Sequence, residues 1–243
     1  MYHSLIIGGK NTWVDWYLLP TSRPVFNPPK PKTKFVDIPG ADWHLDLSTV
    51  LTGDIAYNGR EGSIEFLVDN GQLSEYRADK WHVLYSEILD YLHGQLCQAI
   101  LEDDPGFYYE GRFTLNSWKS DKHNSKIVID YNVRPYKLER FSSLEDWEWD
   151  SFNFEIGIIR EYKDLRVDGE LEFNITGRRM RVTPSFIVKS DDGNGMSVTF
   201  NGITYDIPDG TSRVINIQTV EGTNTLIFKG NGTVSIDYRG GCL

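Results

Sequence analysis

Cysteine is scarce: the 243 residues hold two, Cys97 and Cys242. Two thiols so placed make no disulfide framework, and both are expected reduced, one in a strand and one in a terminal tail. Long apolar runs are missing too. No stretch approaches the roughly 18 residues of a membrane span. The opening MYHSLIIGGK has only a short apolar patch before Gly8 and Gly9, too little for a secretory leader. The expectation is a chain made and folded in a reducing cytosol, with no membrane association. Positive charge is also in short supply. The formal net charge is −10 and the isoelectric point is near 5, which argues against a scaffold that grips nucleic-acid phosphates. Nucleic acid passing nearby without sticking stays compatible. After position 152 there are ten Lys and Arg against twelve Asp and Glu, net −2, so residues 1–152 carry −8.

Catalytic patterns are absent as well. The five histidines, His3, His44, His82, His93 and His123, fall at no zinc-ligand spacing, and HExxH does not occur. There is no GxSxG nucleophile elbow, and Gly8-Gly9-Lys10 is too short for a phosphate loop. Glu102-Asp103-Asp104 precedes Pro105-Gly106, where acids favour a turn. Asp191-Asp192-Gly193-Asn194-Gly195 has the flavour of a calcium loop but neither its spacing nor its terminal Glu. Arg178-Arg179-Met180-Arg181 is the one basic knot and is expected on a solvated strand edge. Trp147 and Trp149, flanking Glu148, could stack on a sugar; packing at a domain junction is the preferred reading. No catalytic, metal or cofactor-binding residue and no cofactor are expected. A structural or binding protein remains.

What the chain does have is concentrated at Asn11–Ala41, which holds six of its ten prolines. Proline fixes φ and removes an N–H, so this stretch is neither helix nor central strand. Residues before proline are pushed to extended geometry. Yet Trp13, Trp16, Tyr17 and Phe26 want burial. A stiff arm with aromatic teeth needs a surface to lie on. The expected division is a brace on its own domain through Phe35, Val36 and Ile38, and a contact with a neighbouring copy through Trp13, Trp16, Tyr17, Arg23 and Phe26.

The rest reads as mainly β. Residues 3–8, 34–38, 42–47, 63–68, 96–101, 107–118 and 126–133 are expected strands, with turns at Pro39-Gly40 and 103–106 and a possible bulge site at Gly111. One helix is expected near 80–93. Asp79 would cap it, Gly94 would stop it, and Trp81, Leu84, Tyr85, Ile88 and Leu92 would form its packing face. Residues 139–152 break the pattern and are expected to connect two domains, 1–138 and 153–243. The second domain shows short strands between turn signals about 8–12 residues apart, the texture of a sandwich. Asn201-Gly202 is a two-residue hairpin signal. Asp168-Gly169 and Gly230-Asn231-Gly232 read as further turns.

Several ordered blocks resemble the distal tail (Dit) family of long, non-contractile-tailed bacteriophages and prophages. They are NTWVDWYLLPTSRPVFNPPKPKTKFVDIPGAD (11–42), LDLSTVLTG (45–53), REGSIEFLV (60–68), WHVLYSEILDYLHG (81–94), 100–137, and GTNTLIFKGNGTVSIDYRGGCL (222–243). The resemblance implies an N-terminal tail-tube-like β-sandwich or barrel with one α-helix and a C-terminal galectin-like, jelly-roll type sandwich. It implies a virion structural protein at the tail tip, or baseplate, assembled in the host cytoplasm. Six copies would ring a DNA channel. The ring would join the tail tube protein to tail-associated, tail-fibre and receptor-binding proteins, with the tape measure protein nearby. Residues 153–243 depart from the sugar-binding galectin pattern. They hold no tryptophan, no HxNPR-like run and no Trp-Gly-x-Glu. The resemblance therefore implies an outward docking role. A carbohydrate-binding adhesion protein is the alternative, and a tail tube protein a third.

Overall fold

The computed structural model describes residues 3–68, 81–119, 125–146 and 157–243. Asp79, Trp147, Trp149 and the side chain of Trp81 lie outside the described residues. The chain divides into two compact units, residues 1–104 with 108–135, and 105–107 with 136–243. It is mainly β, with one helix among the described residues.

The strands of the first unit are β1 (Leu5–Ile7), β2 (Lys10–Asn11), β3 (Leu18–Pro20), β4 (Phe35–Val36), β5 (Leu45–Asp46) and β6 (Arg60–Val68). After α1 (Trp81–Leu92) come β7 (Gln95–Leu101), β8 (Asp104–Lys119) and β9 (Lys126–Val133). The main sheet runs β2-β1-β7-β8-β9-β6-β3, and β4 pairs only with β5. Alternation sets the buried face. Ile127, Ile129, Tyr131 and Val133 of β9 are buried, as are Ile64, Phe66 and Val68 of β6. Leu84, Ile88 and Leu92, one stripe of α1, are buried in the same cluster, with Tyr85 and Leu89 packed against it. Gly94 follows the helix at φ +74, a conformation that suits glycine at a helix end.

Two local expectations shift. The β7–β8 turn falls at Glu102-Asp103, because both acids accept bonds there: Glu102 from the Ser4 N–H and hydroxyl, Asp103 from His3. Pro105 and Gly106 therefore lie in β8. Gly111 is not a bulge; the register shifts between Leu115 and Ser117 instead. Gly111 marks a close approach, since a Cβ there would sit 2.2 Å from the Asn132 carbonyl oxygen.

In the second unit, β10 (Lys137–Glu139) pairs with β17 (Gly241–Cys242). The sheet is built from β11 (Leu165–Gly177), β12 (Ser185–Ser190), β13 (Met196–Phe200), β14 (Ile203–Ile207), β15 (Gly210–Ser212) and β16 (Gly222–Asp237). Asn201 and Gly202, at φ +50 and +79, make the β13–β14 hairpin. The other two turn signals are not turns. β16 runs unbroken through Gly230-Asn231-Gly232, and β11 runs through Asp168-Gly169 opposite it. Gly232 is there for space: a Cβ would meet the Lys189 carbonyl at 2.2 Å. β16 thereby pairs with β11, β12 and β13 along its length. Residues 137–146 pack within this unit. The Ser143 hydroxyl donates to the Ile236 carbonyl and accepts from the Tyr238 N–H at 2.8 Å.

Candidate assembly surface

The arm divides into two halves with opposite fates. Residues 11–27 are stitched to the first unit. Thr12 is fully buried and its hydroxyl accepts the Leu5 N–H at 3.1 Å. Trp16 is fully buried, with Tyr91 edge-on at 5.7 Å. β3 pairs with β6, and the Thr21 N–H donates to the Glu65 carbonyl at 2.9 Å. Phe26 stacks on Tyr109 at 4.1 Å and meets Tyr131 edge-on at 4.7 Å. Asn27 donates its N–H to the Tyr131 hydroxyl at 2.9 Å and its amide to the Glu61 carbonyl at 2.8 Å. Gly62 makes room for this, since a Cβ there would lie 2.4 Å from the Tyr131 hydroxyl. Arg60 fixes the point where the arm leaves. It is buried, and donates to the carbonyls of Pro135 (2.8 Å), Asn27 (3.2 Å) and Phe26 (3.4 Å) beside the Tyr109 ring. Burial pushes the Arg60 guanidinium pKa down.

Among the residues expected to meet a neighbour, Trp16 and Phe26 are thus committed to their own core. Trp13 and Tyr17 are half-buried, and Tyr17 sits at φ +56. Arg23 is exposed and donates to Asp103 at 2.8 Å. Burial pushes the Asp103 carboxyl up, but hydrogen bonds from His3 and Arg23 outweigh it and hold it below the usual carboxylate range.

The second half lies exposed on the unit's surface. Two rungs form its stem: the Asn58 N–H donates to the Lys30 carbonyl, and the Lys32 N–H to the Ala56 carbonyl. Beyond them β4 and β5 make a two-stranded ribbon with Phe35 opposite Asp46 and Val36 opposite Leu45. Every residue from 31 to 43 is exposed. Phe35, Val36 and Ile38 were expected to brace the domain; instead they are 48%, 39% and 48% exposed. The pair Val36 and Leu45 shares one face of the ribbon, and Ile38 is exposed beyond it. Trp43, Val50 and Leu51 are also exposed. A lone two-stranded ribbon is marginal in water, and this one has a bare apolar face.

Other candidates resolve into structure. Arg178, from the expected solvated knot, instead joins Arg160 on the buried Glu139 carboxylate, which also accepts the Gly240 N–H. Asp191 pairs with Arg166, and Asp192 caps the Asn194 N–H. Among the described residues no cluster of three or more His, Cys, Asp or Glu could hold a metal. No helix among them is long and apolar enough to cross a membrane.

Comparison with solved structures identifies the architecture. The crystal structure of SPP1 Dit (gp 19.1) aligns over 100% of both chains with a TM-score of 0.59 and 11% sequence identity. The chain has the Dit fold. That structure is described as a paradigm of the hub adsorption apparatus in phages infecting Gram-positive bacteria. No protein-family model and no curated protein matches the chain. Nothing in a single sequence marked the ribbon as exposed; its alternation was visible, but not that no described element covers it.

Proposed function

We propose that this protein is a structural component of a phage tail tip, a Dit-type hub. Six copies close into a ring through their first units. The ring joins the tail tube to tail-associated and receptor-binding proteins, and DNA passes through its centre. The tape measure protein ends at this ring. The role is structural, without catalysis. The observation that carries the ring is the ribbon at 31–57, whose apolar face is bare on the isolated chain. A head-to-tail contact whose rotation closes generates a ring, and such a projection is the part that reaches the next copy. The Dit fold supports the setting. The charge of −8 on residues 1–152 supports a channel that DNA slides through rather than binds.

The test is mass and shape in solution. Static light scattering and negative-stain images of the purified full chain should give a six-fold ring near six times 27.9 kDa. A monomer at every concentration, alone and with its tail tube protein, overturns the reading.

A further inference from the structure

The ring reading leaves open what the ribbon grips. Resting on that reading, we propose that Trp43 of one copy seats in a depression on the first unit of the next copy, between Gly8, Gly9, Tyr91, Leu96 and Cys97.

The knob is well made. Trp43 is 74% exposed on its own chain, so its own depression does not hold it. The indole is also not loose: it stacks on His44 at 4.6 Å, and His44 lies 4.8 Å from Phe35. A pre-oriented aromatic loses little freedom on docking, which is what makes tryptophan a frequent anchor of interfaces.

The hole matches it. The depression is shallow, with a volume of about 710 Å³. The β1–β2 turn forms one wall, where Gly9 leaves open space at φ +94. Tyr91 is held by its hydroxyl donating to the Gly8 carbonyl, and Leu96 is 60% exposed on the wall opposite. An exposed apolar wall beside a ring and two glycines suits a flat aromatic.

Charge matches as well. The knob sits among Asp37, Asp42 and Asp46. Near the hole stand Lys10, which pairs with Glu87 at 3.1 Å and has its ammonium 4.8 Å from the Tyr91 ring centre, and Arg112, opposite Leu96 in register and donating to the Gly94 carbonyl. Glu110 also lines the hole, but Arg134 pairs with it at 2.8 Å. An acidic tip thus meets a rim where Arg112 supplies the positive charge that Glu87 and Glu110 do not already offset, which favours this orientation. Both halves lie on one chain and differ, so a contact between two copies through them is heterologous, the kind that can close into a ring.

The native thiol in the hole supplies the test. In a Cys242→Ser background, Trp43→Cys is cross-linked with a short bismaleimide at alkaline pH, because burial raises the Cys97 pKa. The linker spans the length of the lost indole, which a direct disulfide cannot, and the protein is held at a concentration where this weakened variant still assembles. The expected result is a ladder of covalent oligomers that disappears when Cys97→Ser is added. Assembly at wild-type mass without a ladder overturns the seat while the ring reading stands. A wild-type monomer at every concentration overturns both. Separately, Trp43→Ala and Leu96→Asp should each weaken assembly about tenfold or more, with the melting temperature unchanged when it is measured at a concentration where wild type is dissociated. Mixed, they share one intact knob and one intact hole and should form a one-to-one dimer. A mixture that stays monomeric refutes the pairing.

Discussion

Trp16→Ala separates the two roles that an aromatic arm can play. Trp16 has no exposed surface and heads the fully buried side chains by size. Burying about 200 Å² at about 25 cal/mol per Å² gives about 5 kcal/mol, and the vacated cavity adds to the loss. Against this, its indole N–H is buried without a partner, which costs about 1–3 kcal/mol that alanine would recover. The net expectation is a loss of about 3–4 kcal/mol, confined to the first unit. In calorimetry of the full chain the melting temperature of that unit should fall by about 10 °C. Trp16→Phe keeps most of the contact with Tyr91 and removes the orphan donor, so it should cost under about 1.5 kcal/mol. Trp43→Ala on the same chain should leave melting within about 0.5 kcal/mol, as exposed sites do, yet lower the solution mass. The reasoning is refuted if Trp16→Ala melts with wild type and only disassembles. It is refuted differently if Trp16→Phe is as damaging as alanine, since the N–H would then have a partner.

Arg60→Ala leaves three carbonyls at the arm's exit without their donor and should destabilise the first unit by about 2–4 kcal/mol; hydrogen exchange should show the Asn27 amide opening with it, and an unchanged rate there would refute the clamp. Gly111→Ala must drive a Cβ to 2.2 Å from backbone and should cost at least about 3 kcal/mol, whereas Gly9→Ala meets open space and pays only for φ +94, about 1 kcal/mol; urea midpoints of equal size would refute the distinction. Asp103 gives a pH dependence. Its folded pKa is lowered by His3 and Arg23. Its stabilisation is therefore complete above the unfolded value of about 4 and is lost as pH falls through the folded pKa. Asp103→Asn should lose less stability than wild type on acidification below pH 4, and parallel acid titrations of the two would refute the latch.

The fold class was legible because it rests on periodicity. The stripe Leu84, Ile88 and Leu92 and the alternation of Ile127, Ile129 and Tyr131 state a helix and a strand whatever the rest of the chain does. Asn201-Gly202 was legible because two positive φ values in sequence have few other uses. The glycines at 169, 230 and 232 misled for a related reason. Glycine reports a backbone need, and a tight turn, a positive φ within a strand as at Gly169, and a close approach as at Gly232 state that need with the same residue. The crossing at Lys189 is a contact distant in sequence, so nothing local distinguishes it. Arg178 misled because its partner Glu139 lies 39 residues away; a basic knot reads as solvated until the carboxylate that buries it is known.

The arm is the instructive case, because its composition was read correctly while Trp16 and Phe26 turn into their own core and Phe35, Val36 and Ile38 turn away from it. Tryptophan and phenylalanine state that they will be buried, not against what. Residues 11–27 carry isolated aromatics between prolines, a pattern suited to any surface, and they found their own sheet because Gly62 and Arg60 prepare it. Residues 34–47 carry strand alternation, which looks like a piece of the domain's own sheet. Yet among the described residues β4 and β5 pair only with each other, and Phe35, Val36 and Leu45 are left exposed. Alternation specifies that one face is covered and is silent on which molecule covers it. In a chain that assembles, the best-patterned stretch without an intramolecular partner is therefore the stronger candidate for an interface than the most aromatic one. That inverts the weight placed on Trp16 and moves it to Trp43.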